Sequence, residues 1–278
     1  MQIDRLENIA NNIRQSIIKM VYEAGSGHIG GSLSATEILT CLYGSEMKVD
    51  PANPCWEERD RFVLSKGHTT PVYYSTLAEF GFFSKEELQT FRRVGSCLQG
   101  HPDRKHTPGV DMSSGSLGQG VSAAIGMALG GKLSKSDFRV YTLLGDGELQ
   151  EGQVWEAFML AAHRRLDNLV VIIDNNDLQS AGHLDEVNSP YPIDEKLKAF
   201  GFYVQTIDGH QIPEILDAFT IARQNQGCPT AIVAKTVKGK GVSFMEHDAE
   251  WHGKVPNEEQ YWQALGELRD AEKGGCLR

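Results

Sequence analysis

Residues 140–176 read VYTLLGDGELQEGQVWEAFMLAAHRRLDNLVVIIDNN, and this stretch decides the fold. Val140 to Leu144 and Leu169 to Ile173 are short, almost continuous apolar runs. Runs of this length without polar alternation belong to strands covered on both faces. Val154 to Arg164 lies between them with helical spacing, and its helix is expected to begin near Gln153. Strand, helix and strand in so short a span form a crossover unit with parallel strands.

The same rhythm continues outward. Upstream, Arg61 to Ser65 reads as a short buried strand that ends at Lys66-Gly67-His68. Downstream come a helix at Glu195 to Phe200, a strand at Tyr203 to Ile207, a helix from Pro213 to Arg223 and a strand at Ala231 to Ala234. Proline suits a first helical turn because its missing N–H would have no partner there. The alternation predicts an α/β fold with a doubly wound parallel sheet, as one domain over residues 1–278.

At the N-terminus, Leu6, Ile9, Ile13, Ile17 and Met20 repeat at helical spacing, and Gly25 to Gly31 ends that helix. Ser34 with Glu37, and Ser84 with Glu87, have the spacing of capping boxes and are expected to open two helices. Gly118 to Leu133 is rich in small residues and predicts a helix packed closely on a neighbour. The segment after Val237 reads as an ordered surface loop, and the tail from Glu272 to Arg278 is expected to fray.

The 278 residues are 40% hydrophobic and 23% charged, enough to build a substantial core. A net charge of −10 excludes the basic footprint of a nucleic-acid binder. A phosphorylated ligand would therefore depend on local features: a metal, helix ends and histidines. Cys41, Cys55, Cys97, Cys228 and Cys276 form no CxxC pair and read as reduced structural thiols. The N-terminus has no apolar signal core, and no apolar run approaches membrane length, so a cytoplasmic protein is expected.

In open α/β sheets, ligands sit beyond the carboxyl ends of the strands. One strand ends in Gly145-Asp146-Gly147, the next in Asp174-Asn175-Asn176. Asp146 offers a hard carboxylate oxygen and Asn176 an amide oxygen. Mg²⁺ takes few protein oxygens and completes its octahedron with phosphate and water. The N-terminal amides of the following helix can face the same anion. Gly-Asp-Gly alone is a common turn; its pairing with an Asn at the next strand end is what carries weight. Gly118 to Ala123 fits the dinucleotide G-x-G-x-x-A pattern, but no strand precedes it, which excludes a nicotinamide site.

Nine histidines are present. His28, His68, His101 and His252 each adjoin a glycine in an expected turn, and imidazole suits proton transfer near neutral pH. His106, His163, His183, His210 and His247 read as surface residues. No metal-ligand spacing of Cys and His points to zinc.

Taken in order, these stretches resemble the N-terminal, diphosphate-binding part of the transketolase family. The markers are Gly27-His28, Asp60 to His68, Gly100-His101-Pro102, Gly115 to Gly120, the Gly145 loop with Asn176, and Trp251-His252-Gly253. The resemblance implies thiamine diphosphate with Mg²⁺ (Ca²⁺ or Mn²⁺ as substitutes) and transfer of a two-carbon ketol unit from a ketose phosphate to an aldose phosphate. It implies Asp146, Asn176 and the Leu178 carbonyl as metal ligands. His68 and Gly147 correspond to diphosphate contacts, Gly115 and Leu117 to the loop lining the cofactor's rings, and Glu151 to a carboxylate network at the subunit interface. His28, His101 and His252 correspond to sugar-binding, proton-moving histidines, with His252 also reaching the diphosphate.

Two departures stand out. Ile29 occupies a position where many family members carry proline. The family's pyrimidine-binding and C-terminal domains have no counterpart here, nor does the glutamate that activates the aminopyrimidine. A separate C-terminal subunit is therefore expected to complete the site, in an α2β2 heterotetramer. Related thiamine enzymes, such as 1-deoxyxylulose-5-phosphate synthase or a 2-oxo-acid decarboxylase subunit, fit Gly100-His101-Pro102 and Trp251-His252-Gly253 less well. A non-catalytic subunit fits poorly with an intact Asp146, Asn176 and His101. A specialised ketose donor remains open.

Overall fold

The computed structural model describes residues 2–275. Helix α1 (Gln2–Ala24) runs into the glycine-rich turn, and α2 (Gly30–Ser34) and α3 (Thr36–Cys41) follow. Strand β1 (Arg61–Leu64) leads to α4 (Thr70–Glu79), and α5 (Gln119–Ser134) to β2 (Val140–Gly145). Next come α6 (Gly152–His163) and β3 (Leu169–Asn175), then a small hairpin of β4 (Leu178–Gln179) and β5 (Gly182–His183). The chain ends through α7 (Leu184–Val187), α8 (Ile193–Ala199), β6 (Tyr203–Asp208), α9 (Ile212–Gln224), β7 (Thr230–Lys235) and α10 (Glu258–Gly275).

The main sheet has five strands in the order β1-β2-β3-β7-β6. Every neighbouring pair is parallel. The pleat sends alternate side chains to opposite faces. Tyr141, Leu143, Val170 and Ile172 join one core with α1 to α4, α9 and α10. Val140, Leu144, Val171 and Ile173 join the other with α5, α6 and α8. Both faces are covered, which is why the central strands read as unbroken apolar runs. The parallel arrangement brings the carboxyl ends of β1, β2, β3 and β7 to one edge.

Helix α5 packs closely on the end of β1, as its small residues predict. A Cβ on Gly120 would lie 2.6 Å from the Ser65 Cα, a backbone atom that cannot turn aside. Gly120→Ala is therefore expected to destabilise the fold by about 1 to 3 kcal/mol. Gly126→Ala on the same helix meets open space and should be neutral or slightly stabilising. Urea midpoints at constant slope compare them; equal midpoints would contradict this packing.

Several expectations need correction. Ser34 caps nothing: it ends α2, while α3 begins at Thr36 behind an uncapped Ala35. Its hydroxyl donates to Asp174 instead, and Glu37 accepts from Arg14. Ser84 precedes a short 3-10 turn, Lys85–Thr90, without capping it. The segment after Val237 is no surface loop, since Lys238, Val242, Met245 and Trp251 are all buried. The tail expected to fray continues α10 as far as Gly275; residues 276–278, including Cys276, lie outside the described residues. The four described cysteines are free thiols. Among the described residues, no helix is long and apolar enough to cross a membrane.

Candidate active site

The carboxyl ends of β1, β2, β3 and β7 enclose a cleft of roughly 270 Å³. Five of the residues expected around a cofactor line it from the ends of β1, β2 and β3: His68, Asp146, Gly147, Asn176 and Leu178. Leu117, Glu151 and His252 come from three separate loops to the same cleft.

Asp146 is 2% exposed. Its Oδ1 accepts from the Gly147 amide at 2.8 Å, and its Oδ2 from the Asp177 amide at 2.7 Å and Asn175 Nδ2 at 3.1 Å. Burial, and then the nearby Asp174 carboxylate, push Asp146 up to about 6. A buried carboxylate beside a like charge is held ready for a cation.

Lys238 lines the same cleft. Its buried ammonium donates to the Leu178 carbonyl at 2.9 Å and lies 3.2 Å from His252 Nδ1. Burial lowers Lys238 to about 8, against the raising effect of Asp146. Asn176 Oδ1 accepts from the Leu178 amide at 3.2 Å. One carboxylate, one amide and one carbonyl form a hard oxygen set of the kind Mg²⁺ accepts when phosphate and water fill the remaining positions. The donor set therefore fits the metal that the resemblance implies. Among the described residues no group of three His, Cys, Asp or Glu side chains can hold a metal, which fits neither zinc nor a carboxylate cage.

Beneath this floor, Asp174 is wholly buried. It is paired with Lys66 and accepts from Ser34 Oγ and Thr236 Oγ1. Burial alone would raise its carboxyl; the Lys66 ammonium and the hydrogen bonds outweigh that and hold it below its usual range. Lys66 also donates to the Gly31 carbonyl at 2.8 Å, fastening β1, β3 and the α2 turn together. Glu148, equally buried, accepts from the Gly118 and Gly145 amides and from Ser65 Oγ. It ties the Gly145-Asp146-Gly147 turn to the loop of Gly115 and Leu117.

Three of the four singled-out histidines converge. The His28 ring centre lies 4.9 Å from His68 and 5.2 Å from His252, and the latter two are 5.2 Å apart. Burial and then Lys66 lower His68 to about 2; burial and then Lys238 lower His252 to about 3. Burial, then Arg92 and His101, lower His28 to about 4. All three rings are neutral near pH 7. An ammonium can only donate, so His252 Nδ1 accepts from Lys238 and its proton sits on Nε2. His28 Nδ1 is buried without a protein partner. His101 stands apart from the triple: it is exposed, with a ring carbon 3.2 Å from where a Cβ on Gly115 would sit.

Glu151 precedes α6 with its side chain exposed, open to contact from outside the chain. Lys66, Lys238, Asp174 and Glu148 are the site residues that sequence reasoning missed. Their common signal is a charged residue within a few positions of a buried strand's carboxyl end. His210, read as a surface residue, is tucked between Glu37 (3.0 Å) and the Val237 amide (2.8 Å).

Residues 6–266 match the family model of the transketolase thiamine diphosphate binding domain. The chain belongs to the transketolase family. It is 47% identical over 267 residues to a 6-deoxy-6-sulfo-D-fructose transketolase subunit from Clostridium sp. (strain MSTE9), covering 96% of this chain and 97% of that one. One of the subunits of apulose-4-phosphate transketolase from Phocaeicola vulgatus is 42% identical over 270 residues, covering 97% and 96%. Human transketolase is 44% identical over 260 residues, and there the match covers 91% of this chain but only 40% of the human one. The crystal structure of transketolase from Campylobacter jejuni superposes with a TM-score of 0.89 at 35% identity, covering 97% of this chain and 43% of that one. The match thus takes in less than half of the human and Campylobacter jejuni chains and almost the whole length of the two relatives named as subunits.

Proposed function

We propose that this chain, as a single domain over residues 1–278, is the diphosphate-binding subunit of a two-chain transketolase. One observation carries the reading: a neutral histidine triple stands directly beside a hard oxygen set at the carboxyl ends of β1, β2, β3 and β7. Thiamine diphosphate, when bound, supplies the carbon nucleophile that makes and breaks the bond between two sugar carbons. The protein's part is to hold the cofactor, orient the sugar and move protons.

In this reading Asp146, Asn176 and the Leu178 carbonyl hold Mg²⁺, with Ca²⁺ or Mn²⁺ as substitutes. His68, Gly147 and Lys238 receive the diphosphate, and Gly115 and Leu117 line the cofactor's rings. Glu151 faces the subunit interface. His28, with its unpartnered Nδ1, and His252, through Nε2–H, serve the hydroxyl at C3 of a ketose donor. His101 serves the hydroxyl at C1. A second chain with pyrimidine-binding and C-terminal domains completes the site, as an α2β2 assembly in the cytoplasm acting on sugar phosphates of the pentose phosphate type. Support for a partner comes from the relatives named as subunits, which this chain matches over almost their whole length. The same relatives are named for unusual ketoses, which favours a second reading in which the donor is a specialised ketose.

Asp146→Ala tests the cofactor site. It removes the charged ligand and leaves the metal and diphosphate poorly neutralised. Thiamine diphosphate affinity of the assembled enzyme is expected to fall by roughly 10- to 100-fold or more, at least the scale of losing outer-shell support alone. Calorimetry giving an unchanged affinity would remove the cofactor from this cleft.

A further inference from the structure

Arg92 lies between the His28 turn and the His101 turn, outside the cofactor cleft. Its backbone is left-handed, with φ at 59°, a conformation that long side chains seldom adopt and that clusters at functional sites. Its guanidinium Nη1 donates to Ser26 Oγ, two residues before His28. The same group lies flat against Gly100, immediately before His101. A Cβ on Gly100 would come within 2.9 Å of Arg92 Nε and 3.0 Å of Cζ and Nη2. Arg92 Nε is buried without a hydrogen-bond partner, so the cation is placed at a cost that the fold bears.

The His101 side of this bridge is itself anchored. Thr70 Oγ1 donates to the Gly100 carbonyl at 3.1 Å, and Tyr74 Oη donates to the His101 carbonyl at 3.0 Å. The Arg92 amide donates to the Leu98 carbonyl at 2.8 Å.

We infer that Arg92 is a positioning residue for the sugar-handling histidines: its guanidinium ties the turn before His28 to the turn before His101 and fixes the spacing of the two imidazoles. The inference rests on the function proposed above. It also accounts for the charge state of the pair. After burial, Arg92 is the largest influence lowering both His28 and His101. The other groups facing His28 are His101, Lys238, His68 and His252, and His101 has the Gly115 backbone against its ring. Removing the Arg92 cation makes both rings easier to protonate, so their neutral, proton-accepting forms are lost at higher pH than in the wild type.

Histidine NMR titrations of the full chain, and ketol transfer by the assembled two-chain enzyme, test this together. Arg92→Gln is expected to raise the titration midpoints of His28 and His101. In the enzyme it should lower kcat/KM for the ketose donor about 10- to 100-fold, the scale of one charge-assisted contact. The acid limb of the pH profile should move to higher pH, with thiamine diphosphate affinity unchanged. Arg92→Lys keeps the charge and should restore the pH profile without restoring the full rate. Gly100→Ala displaces the guanidinium without touching Arg92 itself and should also lower kcat/KM, which covers the case of an Arg92→Gln chain that does not fold. Unmoved midpoints with kcat/KM near the wild-type value would overturn the inference. So would a loss of cofactor affinity in step with activity in every variant. No ketol transfer by the wild-type pair, with the histidine midpoints still shifted by Arg92→Gln, would sink the functional reading and leave the Arg92 coupling standing.

Discussion

His101→Ala in the assembled enzyme is expected to lower kcat/KM by roughly 10²- to 10⁴-fold, the range of a positioned acid–base group. That corresponds to about 3 to 5 kcal/mol of lost transition-state stabilisation. Cofactor and metal affinity should hardly change. The reason is placement. His101 is exposed and is not among the residues lining the cleft proposed for the cofactor. Its backbone is held from α4 by Tyr74 and Thr70, so truncating the ring leaves the turn in place. Pro102 restricts the same backbone.

His68→Ala should behave in the opposite way. That ring is half-buried in the cleft near Lys66 and packs against His28 and His252. Its removal opens space next to the proposed diphosphate, so cofactor affinity falls first. A titration of cofactor at saturating sugar, and of sugar at saturating cofactor, separates the two variants. Identical profiles would end the division of labour among these histidines. A silent His101→Ala would return His101 to an ordinary turn residue.

The central strands were legible because a strand buried on both faces has no choice but to be apolar. Val140 to Leu144 and Leu169 to Ile173 carry that constraint undiluted. The ends of those strands were legible too, since Gly145-Asp146-Gly147 and Asn176 pair a tight turn with hard oxygen donors. Long-range partners were not. Ser34 and Glu37 have the spacing of a capping box, yet Ser34 is bonded to Asp174 and Glu37 to Arg14 and His210, all remote in sequence. Local spacing holds no record of such contacts.

Lys66 and Lys238 escaped for a related reason. A lysine reads as a surface residue unless a buried carboxylate or carbonyl is known to face it. Here Asp174 and the Leu178 carbonyl do so. Val242, Met245 and Trp251 are buried without helical or strand periodicity, so their segment resembled a surface loop. Helix α10, with Ala264, Leu265 and Leu268 in the core, went unread behind its many charged residues. The convergence of His28, His68 and His252 depends on three loops meeting. Sequence reasoning reached it only through glycine-flanked turns and family resemblance.

The proposal that a second chain completes this site is tested most directly by ketol transfer measured before and after mixing. The highly purified chain, given thiamine diphosphate, Mg²⁺ and a ketose–aldose pair, is expected to fold yet show essentially no turnover, as the proposed two-chain assembly requires. The partner chain alone should be equally inactive, for want of the Asp146 and Asn176 site. Mixing the two should produce activity that saturates at a one-to-one ratio, in a particle containing two copies of each. Full turnover by the purified chain alone would contradict the account.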